Sequence, residues 1–309
     1  MKPERIGALS LSAAFVLTGT APTAGKALAG ILGPFTATAA SLACALPALA
    51  PFMLARGRPG RRELLGTAVL AFFGIFLYRV FLVSALARVG AAEAGLMAGA
   101  APALTAVAAA LILGERMGAG RLIGVAATTA GIAAIGFGGA APEGGPAEPG
   151  AIRALGLSLA LGSAAAEALF MVLSRRMWRG DDGADARSRA GWTVAWALLF
   201  SAVPAAAEHP LRALASLPAT GWAALAWYGL AVTAAAYVLA YEGIRRLEAS
   251  RVAVLTGIVP VVGLAVPALL LGERPGAAEL AGCALIAAGI AAAARPGLPA
   301  PALGKEQEG

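Results

Sequence analysis

A segment that occurs twice sets the terms on which this chain can fold. The first copy runs from Arg88 through Pro102 and Leu113-Gly114-Glu115-Arg116 to Gly131. The second runs from Arg246 through Pro260 and Leu271-Gly272-Glu273-Arg274 to Gly289. A constant shift of 158 positions relates them, with 19 identities in the 46 aligned positions between Arg88 and Ala133. Alanine-rich sequence inflates such a count. The matches Pro102/Pro260, Gly114/Gly272, Glu115/Glu273, Arg116/Arg274, Gly118/Gly276 and Gly124/Gly282 are not of that kind, so the pattern is an internal duplication. Each copy is an apolar run, a short charged punctuation and a second apolar run, which reads as two membrane helices joined by a tight hydrophilic turn.

Composition agrees with a chain made mostly of such runs. It is 59% hydrophobic and 13% charged, with a mean hydropathy of +0.78, against about 25% charge in a soluble domain. Ten spans are predicted, at 6–23, 29–54, 64–86, 91–113, 119–137, 152–173, 190–207, 219–243, 252–271 and 277–294. A Pro/Gly-rich stretch from Ala140 to Gly150 has the chemistry of a loop. The expected organisation is therefore a first five-helix repeat over 1–139, an external linker over 140–151, a second five-helix repeat over 152–296 and a cytoplasmic tail over 297–309. The fold class is an all-α integral membrane protein.

Orientation follows from where Lys and Arg fall. With the N-terminus in the cytoplasm, eighteen of these residues are inside and five outside (Lys26, Arg88, Arg153, Arg212 and Arg274), with Arg79 within a span. Both termini are then cytoplasmic, in the inner membrane. Five spans is an odd number, so the second repeat enters from the opposite side. Inverted repeats are a design of secondary transporters, with the binding site at the repeat interface near the midplane. The net charge of +7 sits in short clusters between apolar runs, which suits the anionic cytoplasmic leaflet rather than nucleic acid. Lys2 and Arg5 ahead of an apolar stretch, with Ala27-Leu28-Ala29 beyond, resemble a signal peptide; Lys26 beside that site and the spans that follow argue for a retained first span. Cys44 and Cys283 lie within apolar runs and are expected to be small hydrophobes, forming neither a disulfide nor a metal site.

With these residues in view, the chain resembles the drug/metabolite transporter superfamily, and within it the ten-span type built from two EamA repeats. The marks are Pro102 with Leu113-Gly114-Glu115-Arg116, and Pro260 with Leu271-Gly272-Glu273-Arg274, each followed by a Gly-spaced helix. A weaker mark is Gly19 followed seven residues later by Lys26, whose counterparts in the second half are Ala168 and Arg175. The chain departs from the family pattern at Thr18, where an aromatic is common. It also has Ser41 close to where many members carry an Arg late in span two. The resemblance implies a carrier of small organic solutes, often an exporter.

Charged side chains within a bilayer cost about 2.5–3.5 kcal/mol each on insertion scales and usually face a cavity or a partner. Arg79 lies about 13 Å below the outer end of span three and Glu167 about 12 Å from the inner end of span six, at 1.5 Å per residue. In a core of roughly 30 Å their depths are similar. Either they pair with each other, or Arg79 binds an anionic group while Glu167 binds a cationic group or a proton. Tyr237 and Tyr241, four apart, share one face of span eight and could line a cavity. Thr18, Thr20 and Thr23 lie in the outer half of span one, where hydroxyls either face a solute or bond back to their helix. Pro102 and Pro260 are expected to kink spans four and nine and to shape a cavity or hinge. Trp222, Trp227, Tyr228, Trp192 and Trp196 read as aromatic belts. Glu242 reads as a helix-local partner of Arg245 or Arg246, and Glu115 and Glu273 as structural carboxylates at helix starts.

No catalytic constellation, phosphate-binding loop, metal-ligand spacing or dinucleotide fingerprint occurs, and His209 is the sole histidine. No cofactor is expected, and the driving force is expected to be a gradient rather than ATP. The function expected is secondary transport of a small metabolite, amino acid-like or amphipathic, by export and with proton coupling. An uptake permease or uncoupled facilitator of the same fold is the alternative, and a membrane enzyme or scaffold, which would need a buried nucleophile, a metal cluster or a large soluble domain, is the remaining one. The expected partners are the solute, the lipid bilayer and protons, for a monomer or a homodimer.

Overall fold

The computed structural model describes residues 3–56, 59–114, 118–138, 150–177, 186–244, 246–247 and 255–293. Residues 140–149 of the predicted linker, Glu115-Arg116 and the tail lie outside the described residues, while Gly150 and Ala151 of that linker begin a helix. Ten apolar helical runs follow one another. α1 comprises Pro3–Gly19 and Ala21–Leu28, and α2 is Pro34–Arg56. α3 comprises Arg61–Ala71, Phe72–Leu77 and Tyr78–Leu86; α4 comprises Ala91–Ala98 and Ala101–Leu113. α5 is Ala119–Gly138, α6 Gly150–Met177 and α7 Ala186–Ala205. α8 comprises Ala219–Ala226, Trp227–Ala235 and Ala236–Ile244, α9 is Ile258–Leu270 and α10 Ala277–Ala293. Seven runs, α1–α4 and α6–α8, are long and apolar enough to cross a bilayer; the described parts of α5, α9 and α10 form three shorter apolar helices.

One predicted boundary is corrected. Span one continues to Leu28, and span two begins at Pro34 rather than Ala29. Residues 29–33 form a tight turn, closed by a bridge between Ala29 and Leu32 and turned at Gly30, whose φ of 89° suits glycine. The turn was hidden because Ala29, Ile31 and Leu32 continue the apolar pattern.

Both repeat prolines stand just after a helix irregularity or start. α4 is interrupted at Gly99 and Ala100, two residues before Pro102, and α9 starts after Gly257, three residues before Pro260. A proline ring crowds the carbonyl four residues back and offers no N–H, which weakens the preceding turn, although Pro47 and Pro51 in α2, Pro204 in α7 and Pro267 in α9 lie inside continuous helix. Two further irregularities carry no proline. Phe72–Leu77 in α3 and Trp227–Ala235 in α8 are wound as π-helix. Such segments shift the face that later residues present and are frequent at functional sites.

Packing relies on glycine, since lipid supplies no hydrophobic drive for helix association. At the α5–α10 seam, a Cβ added at Gly131 would stand 2.8 Å from the Gly282 carbonyl oxygen. One added at Gly289 would stand 2.7 Å from that of Gly124. On α4, Gly99 abuts Pro260 and Gly95 abuts Gly263, so α4 and α9 run side by side. Between α3 and α6, Gly74 receives Phe170, Gly162 receives Phe81 and Gly156 receives Val89. This antiparallel register sets Tyr78 opposite Glu167.

Candidate substrate site

The centre of the bundle is built around Arg79, at the start of the helix that follows the π segment of α3. Its side chain is buried, 5% exposed. One guanidinium nitrogen donates to Ser41 Oγ of α2 at 2.7 Å, and the other donates to Thr233 Oγ1 of α8. Both hydroxyls are oriented, because Ser41 donates to the Thr38 carbonyl and Thr233 to the Tyr228 carbonyl. The guanidinium carbon lies 4.1 Å from the centroid of the Tyr228 ring, a cation–π contact. Among the described residues, no carboxylate lies within ion-pair distance of Arg79. The pairing of Arg79 with Glu167 entertained from sequence is therefore not made.

Glu167 is half-buried on α6, on the other side of α3. Tyr78 connects the two sides: it lies within electrostatic reach of Glu167, Arg79, Tyr228 and Tyr237. Adjacent residues on α3 thus face different neighbours, Arg79 towards α2 and α8 and Tyr78 towards α6. Tyr237 is half-buried on α8 and packs against the cluster of Leu42, Ile75 and Val194. Tyr241 lies on the same helix, but its side chain is outside the described residues. Thr18 donates to the Ala14 carbonyl at 2.9 Å, so its hydroxyl proton is committed to its own helix and its oxygen keeps acceptor capacity. Pro260 is buried and Pro102 half-buried, at the breaks described above.

Several expectations about the surrounding residues are corrected or sharpened. Tyr228 does not belong to an aromatic belt: it is fully buried beneath Arg79, whereas its neighbour Trp227 is 46% exposed. One residue along a helix turns the side chain by about 100°, so a belt residue and a core residue can be adjacent. Glu242 does pair locally with Arg246, and also with Arg187 of α7. Glu273 caps a helix start, but that of α4: its two oxygens accept from Ala91 N at 2.8 Å and Ala92 N at 2.9 Å. Ser41, Tyr78, Tyr228 and Thr233 were not among the residues singled out for the site. Tyr78 beside the in-span Arg79 was the one available signal.

Among the described residues, seven helices long and apolar enough to cross a bilayer, with three shorter apolar ones, mark a multi-pass membrane protein. The chain belongs to the EamA-like transporter family, which matches residues 5–137 and 154–295. It is 24% identical over 293 residues to YetK of Bacillus subtilis (strain 168), described as an uncharacterized transporter; the match spans 93% of this chain and 86% of that protein. It is 38% identical over 93 residues to a Salmonella typhimurium protein named as a "probable amino-acid metabolite efflux pump", over 30% of this chain and 31% of that one. A solved crystal structure is similar in fold, with a TM-score of 0.61 and 24% identity, covering 93% of this chain and 96% of the other.

Proposed function

We propose that the chain is a ten-span carrier of two inverted five-helix repeats that exports a zwitterionic, amino acid-like metabolite bound between Arg79 and Glu167. The observation that carries this reading is the buried guanidinium of Arg79, held by two hydroxyls and a ring with no carboxylate among the described residues. A charge removed from water needs a counter-charge close by. Glu167, with no hydrogen-bond or ion-pair partner among the described residues, poses the converse requirement. A solute with a carboxylate and an ammonium meets both. The name of the Salmonella relative agrees with that class and with export.

The inverted arrangement is supported by contacts that exchange under the duplication. The shift of 158 takes Gly124 to Gly282 and Gly131 to Gly289. The seam contacts Gly131–Gly282 and Gly124–Gly289 are therefore each other's images. The correspondence of Gly19 with Ala168 takes Gly7 to Gly156. Gly7 meets Gly243, Arg246 and Leu247, while Gly156 meets Ala85, Arg88 and Val89, which the duplication matches one to one. Reciprocity of this kind is a property of two-fold relations. The same shifts take Arg79 to Tyr237 and Thr18 to Glu167, so these four site residues are two related pairs around one axis. Glu167 then serves as the proton-exchanging group when no solute ammonium is present, which couples export to proton entry.

The test is solute binding to purified protein, with a panel of amino acids, their carboxamides and the matching acids without the amine. The wild type is expected to bind the amino acid at least about thirtyfold more tightly than its carboxamide, since leaving one partner of a desolvated pair unmatched costs about 2–5 kcal/mol. Arg79→Gln is expected to remove that preference. A wild type that binds the amino acid and its carboxamide equally would overturn the reading.

A further inference from the structure

On the outer side, Glu208 accepts from Phe35 N and Thr36 N where α2 begins, and four further charged residues meet at the turn between α3 and α4. Lys26, from α1, donates to the carbonyls of Leu86 at 2.8 Å and Val89 at 2.7 Å, where α3 ends. Glu273, from the connection between α9 and α10, accepts from Ala91 and Ala92, where α4 begins. Arg153, near the start of α6, donates to Glu93 at 2.7 Å and to the Ile135 carbonyl of α5 at 3.2 Å. Lys26 lies within electrostatic reach of both Glu273 and Glu93. Lys26, Glu273 and Arg153 therefore hold residues 86–93 from three directions, Arg153 through Glu93 within that segment, and two of the three come from the second half of the chain. Glu93 is 6% exposed and the other three are half-buried.

We propose that Lys26, Glu93, Arg153 and Glu273 are an outer latch, which closes the passage to the external side and must part before solute can leave. The contacts suit a latch better than a static brace. All are side-chain hydrogen bonds to helix ends or to one another, and each can be exchanged for water without unwinding a helix. They also join elements that meet the central site, since α3 carries Arg79 and α6 carries Glu167. Beneath them, one turn inward from Lys26, Thr23 is 8% exposed and its hydroxyl has no hydrogen-bond partner. A hydroxyl so placed satisfies its bonding when the layer above it opens to water.

The latch is tested with a cysteine at position 23 as reporter. Cys44→Ala and Cys283→Ala remove the native thiols, Thr23→Cys adds the reporter, and a membrane-impermeant maleimide is applied from outside to the full chain in vesicles. Labelling is expected to be slow in this background. It should become about tenfold faster with Glu273→Gln or Lys26→Met, each of which removes charge-assisted hydrogen bonds across the latch. Arg153→Gln is expected to act in the same direction from the α6 side. Arg212→Gln, an external cation outside the cluster, should leave the rate unchanged. Melting curves in detergent identify any variant that fails to fold, and the remaining latch variants decide the outcome. Equal labelling rates in the folded latch variants and their background overturn the proposal. No solute enters the assay, so its failure is separate from failure of the amino-acid reading.

Discussion

In the proposed carrier Arg79 and Glu167 are the residues that meet the solute, and they are held differently. Arg79 is fixed by Ser41, Thr233 and Tyr228, while Glu167 shares only the neighbourhood of Tyr78. Removing the charge of Glu167 should leave the fold intact and end proton-coupled transport. Glu167→Gln is therefore expected to melt within a few degrees of the wild type and to move no protons. Adding Arg79→Gln should restore neither transport nor proton flux, because the two charges do not compensate one another. Recovery in the double variant, read by melting temperature and proton flux together, would show that they do. The in-span charges were legible in the sequence because a bilayer makes any charge conspicuous. Their partners were not. Ser41 and Thr233 are ordinary hydroxyls until α2 and α8 are brought to α3, and Tyr228 looked like an interfacial residue because Trp227 precedes it.

Among the elements, α5 and α10 approach one another closely along a row of glycines. A side chain introduced there has nowhere to go: a Cβ at Gly282 would lie 3.0 Å from the Gly131 carbonyl oxygen and closer still to Ile135. Gly131→Leu is expected to destabilise the bundle by about 1–3 kcal/mol, the usual cost of overpacking. Gly118→Ala, at a glycine with open space around it, should be neutral; thermal melting in detergent compares the two. The break in α4 falls just before Pro102 and α9 starts just before Pro260, where proline's missing N–H acts locally, while Pro47, Pro51, Pro204 and Pro267 sit within unbroken helix. The π segments of α3 and α8 could not be placed in advance, since their sequences, Phe72–Leu77 and Trp227–Ala235, are as compatible with α-helix. Glu273 shows a related limit. Its acidic nature announced a helix N-terminus, but a carboxylate caps whichever start lies within reach, and here that start is α4.

For the whole molecule, the proposed ten-span arrangement with a cytoplasmic N-terminus puts eighteen Lys and Arg residues inside and five outside, the bias expected of that orientation. A reporter active only in the periplasm is expected to stay silent when fused after Gly309 and to be active when inserted near Gly145. The opposite pattern would overturn the ten-span arrangement. Architecture was the most legible level of this protein, since the duplication, the apolar runs and the charge bias all survive in the linear sequence. Least legible was the layer of contacts between the halves, such as Glu273 on α4 and Arg153 on Glu93, which depends on which loop lands on which helix end.

The cap that Glu273 places on α4 has a consequence for how the protein is made. α4 emerges from the ribosome more than 150 residues before the carboxylate that completes its first turn. Until then Ala91 and Ala92 keep unpaired N–H groups at the membrane surface, where water can serve them. Assembly of the first five helices is thus provisional during synthesis. It becomes final only when the α9–α10 connection is delivered to the same face, so a chain truncated before Glu273 should present quality-control proteases with a frayed helix start rather than a finished half.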